Sequence, residues 1–259
     1  MLAKLRAFST SQMYSMLSVL YGLKRFFRPP FCAVIPTLCI VITVSFTAVQ
    51  TAHAEPPLPP AEENSSWTLA LDRNGIQIYT QEWPDSRFPA VKTVQVVSTT
   101  LANAVSHFFN TEAYPEWASD MHEARVLVPV NEEMERLIYM HMDLPWPLQD
   151  RDSVARQRVT QDMETLAVLF KERDANDQLA ARPNITRLPK LNAELILIPI
   201  SADKTKIIWQ GHNEPGGYLP AFVFRWMLEH ILYESSLNMR KRLATPSMAK
   251  SATWVVSPE

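Results

Sequence analysis

The chain has 259 residues, 47% of them hydrophobic and 20% charged, with 25 basic against 27 acidic side chains, two cysteines and five glycines. That composition is globular and excludes a mainly disordered or fibrous chain. A near-neutral charge argues against a nucleic-acid surface, two cysteines cannot build a disulfide scaffold or a four-cysteine zinc centre, and neither GxGxxG nor a P-loop occurs.

Residues 1–54 differ from the rest. They carry Lys4, Arg6, Lys24, Arg25 and Arg28 without one acidic residue, then a mostly apolar run from Phe31 to Val49, then Ala52-His53-Ala54. Basic flank, apolar stretch and small-x-small end are the three parts of a signal peptide. Cleavage after Ala54 and export, to a periplasm or outside the cell, is the expectation. The alternative is an uncleaved anchor in the inner membrane over residues 31–49, a span long enough for a bilayer but weakened by Pro36, Thr37, Thr43, Ser45 and Thr47. Residues 55–259 then hold 20 basic and 27 acidic side chains and no cysteine, because Cys32 and Cys39 both lie in the leader. Such a domain depends on its own core, and its charge does not suit anionic lipid.

Residues 55–66, opening with EPPLPP, read as a proline-rich linker. Strands follow at Trp67–Leu71, Ile76–Thr80 and Val91–Ser98, the first two joined by the turn residues Asp72-Arg73-Asn74-Gly75. Thr100 caps a short helix over Leu101–Asn110, and a further helical turn holds Tyr114, Pro115 and Trp117. A series of strands comes next: Arg125–Val130, Glu133–Asp143, Asp152–Gln161, Leu166–Arg173, Leu191–Ile200 and Lys206–His212, the last carrying Trp209. Alternation in the fourth of these sets Leu166, Val168 and Phe170 on one face. Pro220–Leu243 runs 24 residues without glycine or interior proline, a long terminal helix, and residues 244–259 remain as a tail. An antiparallel sheet with helices towards both ends is an α+β layout.

At about 100° per residue, Phe224, Met227, Leu228, Ile231, Leu232, Ser235 and Met239 share one face of that helix. A broad, methionine-bearing apolar face suits a deformable surface or a ligand, and an ordinary core stripe has the same pattern. The other face sets Phe222, Trp226 and Tyr233 among Arg225, Glu229 and Arg240. Three aromatics among charges point to a membrane interface or another part of the chain, with burial against the N-terminal segment as the plain alternative.

Three stretches carry a family likeness: AYPEW (Ala113–Trp117), DLPWPLQDRDSV (Asp143–Val154) and NEPGGYLPAFVFRW (Asn213–Trp226). In this order they resemble START domains, the steroidogenic-acute-regulatory-protein-related lipid-transfer family, and among them the exported bacterial members. The resemblance spans roughly Trp67 to Leu243. It implies a helix-grip (START/Bet v 1-like) fold, a curved antiparallel sheet around an elongated apolar cavity closed by the C-terminal helix. It also implies one bound lipid or sterol, no cofactor, no metal, a monomer, and at most transient membrane contact. Residues 67–243 are then the lipid-binding domain. The motifs also make sense unaided, since Pro145 and Pro147 end a strand, and Gly216-Gly217 permits a sharp turn before Pro220 starts the helix.

On this reading the ligand contacts are Trp117, Tyr139, His141, Arg156, Phe170, Trp209, Phe224, Leu228, Ile231 and Leu232. Tyr139, His141, Arg156 and Arg158 are the candidates to meet a polar head group, a structural role being the alternative for His141. Family members place a charged residue in the cavity on the strand after the Arg-Asp pair; Arg156 and Arg158 bracket that position, and outward placement beside an acid is the alternative for each. Glu133 and Glu135 set the odd-numbered face of their strand outside, yet Leu137, Tyr139 and His141 continue the same face, so its register stays open. Phosphatidylcholine-binding relatives carry an arginine three residues before the tryptophan of the AYPEW-like motif. Tyr114 stands there, which favours sterols, fatty acids or neutral lipids. The mostly polar loop Ala175–Leu188 corresponds to the family's entrance loop.

Enzyme signatures are thin. HExxH, GxSxG and CxxC do not occur, and His107, His122, His141, His212 and His230 stand at no ligand spacing. His141 with Asp143, or His212 with Glu214, can be drawn as acid–base pairs, which keeps a cyclase or hydrolase on the same fold as an alternative to binding alone. A membrane-anchored envelope protein that hands lipid to a partner is another.

Overall fold

Alternating, β-branched stretches separated by turn residues assemble into ten strands, and these form one sheet. They are β1 (Thr68–Arg73), β2 (Ile76–Gln81), β3 (Ala90–Ser98), β4 (Met121–Val128), β5 (Glu135–Met142), β6 (Arg151–Gln161), β7 (Val168–Asp174), β8 (Thr186–Arg187), β9 (Lys190–Ser201) and β10 (Lys204–Glu214). Helix α1 is Leu101–Phe109 and α2 is Ala221–Leu243. A computed structural model describes residues 66–146, 148–217, 219–246 and 253–258, and within α2 not the side chains of 221–223 and 226–228. The leader with its anchor alternative, most of the linker, Pro147, and the side chains of Phe222, Trp226, Met227 and Leu228 therefore lie outside the described residues.

The strand order is β1-β2-β3-β10-β9-β7-β6-β5-β4, with β8 pairing in parallel onto β6 beside that path. Neighbours along the path are antiparallel and the sheet stays open. This is the expected α+β, helix-grip arrangement. The β1–β2 hairpin turns on Asn74 and Gly75, both with positive φ (54° and 68°), as a two-residue hairpin loop with the right twist requires. Thr100 caps α1 by accepting a hydrogen bond from the Asn103 N–H at 3.1 Å.

Several boundaries differ from the sequence reading for local reasons. β5 begins at Glu135 because Met134 has φ 58° and the Asn131 side chain accepts the N–H groups of Glu133 and Glu135. β7 begins at Val168 because Leu166 also has positive φ, in a tight turn where Asp162 N–H donates to Ala167 O at 2.9 Å. β4 begins at Met121, ahead of the expected Arg125. The two-residue β8 offers no periodicity to read.

A buried cluster that includes Leu101, Phe108, Phe170, Leu197, Ile207, Met239 and Leu243 joins α1 and the C-terminal end of α2 to the sheet. The tail returns across it: the Trp254 ring meets Phe109 at 6.3 Å, and the Gln161 amide exchanges hydrogen bonds with the Val256 backbone at 2.7 and 3.0 Å. The mixed face of α2 meets another part of the chain, since the Tyr233 hydroxyl accepts from Asn74 at 2.7 Å and Arg240 donates to Asn74 O at 2.7 Å. Among the described residues no helix is long and apolar enough to cross a membrane.

Candidate functional site

Strand alternation decides which side chains face α2. On β5 the even residues Met140 and Met142 point to the helix side, on β6 the odd residues Ser153 and Gln157, and on β7 the even residues Phe170 and Glu172. With Trp209 of β10, Trp117 and the underside of α2 they enclose a cavity of about 290 Å³. Its wall is mostly aliphatic, aromatic and methionine side chains, so water gains little by staying there.

Trp117, Phe170, Trp209, Phe224, Ile231 and Leu232 all stand on this wall. Leu228 lies outside the described side chains. Tyr139, His141 and Arg156 face the other way, and the register question on β5 is thereby resolved. Tyr139 is fully buried on the outer side, with Leu127 and Leu179 over it and the guanidinium groups of Arg125 and Arg182 at 5.1 and 4.6 Å from its ring. His141 has its Nε2 3.2 Å from Asp150 on that side, and Arg156 lies half-exposed, 3.9 Å from Glu135. The apolar odd face of β5 is thus explained without the cavity: the Ala175–Leu188 loop covers it. That loop is fastened by a buried pair in which Arg187 Nε and Nη2 donate to the two oxygens of Asp152 at 2.7 and 3.1 Å. Only its far end, Leu188, reaches the cavity wall.

Gln157 and Glu172, which also reach the cavity, were picked out by neither alternation nor motif. Gln157 donates to Glu172 at 2.6 Å and accepts from Arg136 Nε at 2.8 Å, while Arg136 Nη1 donates to Phe109 O at 2.7 Å. Burial, the larger influence, raises the Glu172 carboxyl above its ordinary value, with Gln157 and Arg136 pulling the other way. Ser153 Oγ is buried in the wall without a protein partner. Tyr114 donates to Phe108 O at 2.8 Å, and burial pushes its phenol up to about 12.

The Arg-Asp pair divides its work across the sheet. Asp152 points out to Arg187, whereas Arg151 points in, where its Nε donates to Pro215 O at 2.7 Å and its Nη2 to Gly216 O at 3.2 Å. Arg151 therefore holds the segment that leads into α2. Gly216 and Gly217 have φ of 64° and 61°, and a Cβ on Gly216 would stand 3.1 Å from both Pro189 and Thr186. No other residue type meets both demands cheaply.

An open antiparallel sheet gripping a long C-terminal helix over an apolar hollow defines a helix-grip protein. Residues 50–247 match the START domain family model, and the chain belongs to that family. It is 24% identical over 177 residues to an uncharacterised protein of Pseudomonas aeruginosa, covering 68% of this chain and 84% of that one. It is 23% identical over 171 residues to the phosphatidylcholine transfer protein of Bos taurus, covering 64% and 79%. Among solved structures it is similar to a STAR-related lipid transfer protein fragment from Xanthomonas axonopodis (TM-score 0.64, 22% identity, 70% of this chain and 100% of that one). Human STARD10 is similar at TM-score 0.62 and 15% identity, over 69% of this chain and 73% of that one. At these identities the structural likeness is one of fold.

Proposed function

We propose that the protein binds a single lipid in the cavity beneath α2 and carries it without chemical turnover, the N-terminal end of α2 acting as the gate. The observation that carries this reading is the apolar hollow itself, set between Phe170, Trp117 and Trp209 and the helix residues Phe224 and Ile231. Burying ten methylenes at about 0.8 kcal/mol each gains about 8 kcal/mol before ordering costs, against about 1.5–3 kcal/mol for one charge-assisted hydrogen bond. Apolar fit sets affinity, and the Glu172–Gln157 pair with Ser153 sets the head group.

About 290 Å³ lies at the lower edge of the ~300–1,000 Å³ usual for ligand sites, which favours one acyl chain or a sterol over a two-chain phospholipid. Tyr114, unable to act as a cation, points the same way. Among the described residues no histidine lines the cavity, and His212 stacks on Trp83 at 4.4 Å instead, so the acid–base pairs that would serve a cyclase or hydrolase do not reach a ligand there. In this reading residues 1–54 export the chain, which then works as a monomer with transient membrane contact. N-terminal sequencing of the protein recovered from cells tests export: a start at Glu55 supports it, and a retained leader supports the anchored form.

Native mass spectrometry of the full-length chain after loading with palmitate, cholesterol or phosphatidylcholine tests the binding reading. One palmitate or cholesterol per chain, in preference to phosphatidylcholine, is the expected result. Failure to retain any of the three overturns it.

A further inference from the structure

On the outer face of β5, away from the cavity, two histidines and two aspartates converge. The β4–β5 register places Met121 opposite Met142 and Glu123 opposite His141, so His122 is the extra residue of a β-bulge. A bulge re-aims a side chain, and here it sets the His122 ring 4.7 Å from that of His141. His122 Nδ1 lies 3.2 Å from Asp143 Oδ2, and His141 Nε2 lies 3.2 Å from Asp150 Oδ2. Ligand atoms of His141, Asp143 and Asp150 all lie within 4.8 Å of one another.

We propose that His122, His141, Asp143 and Asp150 form a binding site for a late first-row divalent cation of the Zn²⁺ type. Around a tetrahedral ion with bonds of about 2.0–2.1 Å, neighbouring ligand atoms stand about 3.3 Å apart. Both histidine–carboxylate edges are close to that length at 3.2 Å, and among His141, Asp143 and Asp150 the remaining closure is of the order of 1.5 Å, with His122 following Asp143. The side chains that must move are the ones free to do so, since His122 and Asp143 are 57% and 58% exposed while His141 is 9% exposed. Asp150 is oriented from behind, its Oδ1 accepting the Leu144 N–H at 3.1 Å, and the Asp143 N–H donates to Asp120 O at 2.8 Å. Outer hydrogen bonds of this kind fix a ligand set. Two imidazoles with two carboxylates suit Zn²⁺ or Co²⁺ rather than Ca²⁺ or Mg²⁺, which take oxygen donors. An ion here ties β4 to the segment between β5 and β6, whose Leu144 lines the cavity.

Co²⁺ is the probe, because its visible absorption reports ligand type and geometry. The full-length chain, freed of metal with EDTA, is titrated with Co²⁺ beside His122→Gln, Asp143→Asn and the His122→Gln/His141→Gln double variant. Cys32→Ser/Cys39→Ser is the common background, so that leader thiols add nothing. The expected result is one more equivalent bound than in the double variant, with intense tetrahedral bands. Each single variant, altered at an exposed side chain, loses about tenfold or more in affinity. Equal uptake by parent and double variant, the weak bands of hydrated Co²⁺ throughout, or no uptake by either overturns the proposal.

Discussion

At its C-terminal end α2 is fastened from several sides, whereas at its N-terminal end it is entered through two glycines and roofs a hollow. Asn103 donates to the carbonyls of Leu243 and Thr245, a ring nitrogen of His107 meets Thr245 O at 3.1 Å, Arg240 reaches Asn74, Gly75 and Gln95, and Arg242 pairs with Glu116. Leu243 itself is 2% exposed in the core. At the other end Arg151 grips the carbonyls of Pro215 and Gly216, and Phe224 sits edge-on to Phe88 at 4.7 Å. One helix therefore carries cavity wall from Phe224 to Met239, with Met239 also in the core, and is core alone at Leu243. In the proposed gating the fastened end keeps the domain folded while the other end opens.

The sharpest way to break this contrast is a pair of truncations. Leu243→Ala removes packed core atoms and is expected to cost about 2–5 kcal/mol in urea unfolding. Ile231→Ala, on the cavity wall, is expected to cost about 1 kcal/mol or less in the ligand-free protein, because its side chain already borders free space, yet to weaken palmitate uptake. A reversed order of costs would dissolve the distinction between the two ends. Next in size, Arg151→Ala leaves the Pro215 and Gly216 carbonyls without their charged donor, at about 2–3 kcal/mol. It should speed hydrogen exchange at residues 213–225 and lipid release, while amides near Leu243 stay protected. Gly216→Ala forces a positive φ on a side chain that also crowds Pro189 and Thr186, an expected loss of about 1–3 kcal/mol, read as a lower melting temperature.

The smallest effect is a pH dependence. Burial, the largest influence, holds the His107 imidazole below its ordinary value of 6.5 at the fastened end, and does the same to His212. The unfolded chain then takes up these protons first, so their contribution is complete above pH 6.5 and is lost as pH falls below 6.5 towards the folded values. His107→Gln should flatten that slope in urea titrations at several pH values without abolishing it, since His212 remains. An unchanged slope would remove His107 from the account.

Much of the architecture was legible because it is written locally. The hairpin at Asn74-Gly75, the Thr100 cap and the uninterrupted helix after Pro220 each follow from a few adjacent residues, and the three START-like stretches pointed to the fold. The inner and outer faces of β5 were not legible. Tyr139 is apolar-facing because Leu179 and Arg182 arrive from a loop some forty residues later, and alternation does not distinguish a face covered by a loop from one facing a cavity. The Arg136–Gln157–Glu172 chain was missed for the converse reason: charged residues on a strand read as solvent-facing, and only three-strand pairing brings them together under α1 and α2. The His122–His141 contact depends on a bulge, which no spacing rule registers.

Where the ligand sits is tested most directly by tryptophan fluorescence quenching with a bromine-labelled palmitate. Trp117 and Trp209 line the cavity, whereas Trp146 is 83% exposed and Trp254 packs against Phe109. Quenching that saturates at one brominated chain per protein, and that disappears in Trp117→Phe/Trp209→Phe, is the predicted result. Full quenching in that double variant, or none in the parent while brominated palmitate is demonstrably bound, would place the lipid elsewhere and contradict a carrier built around the hollow under α2.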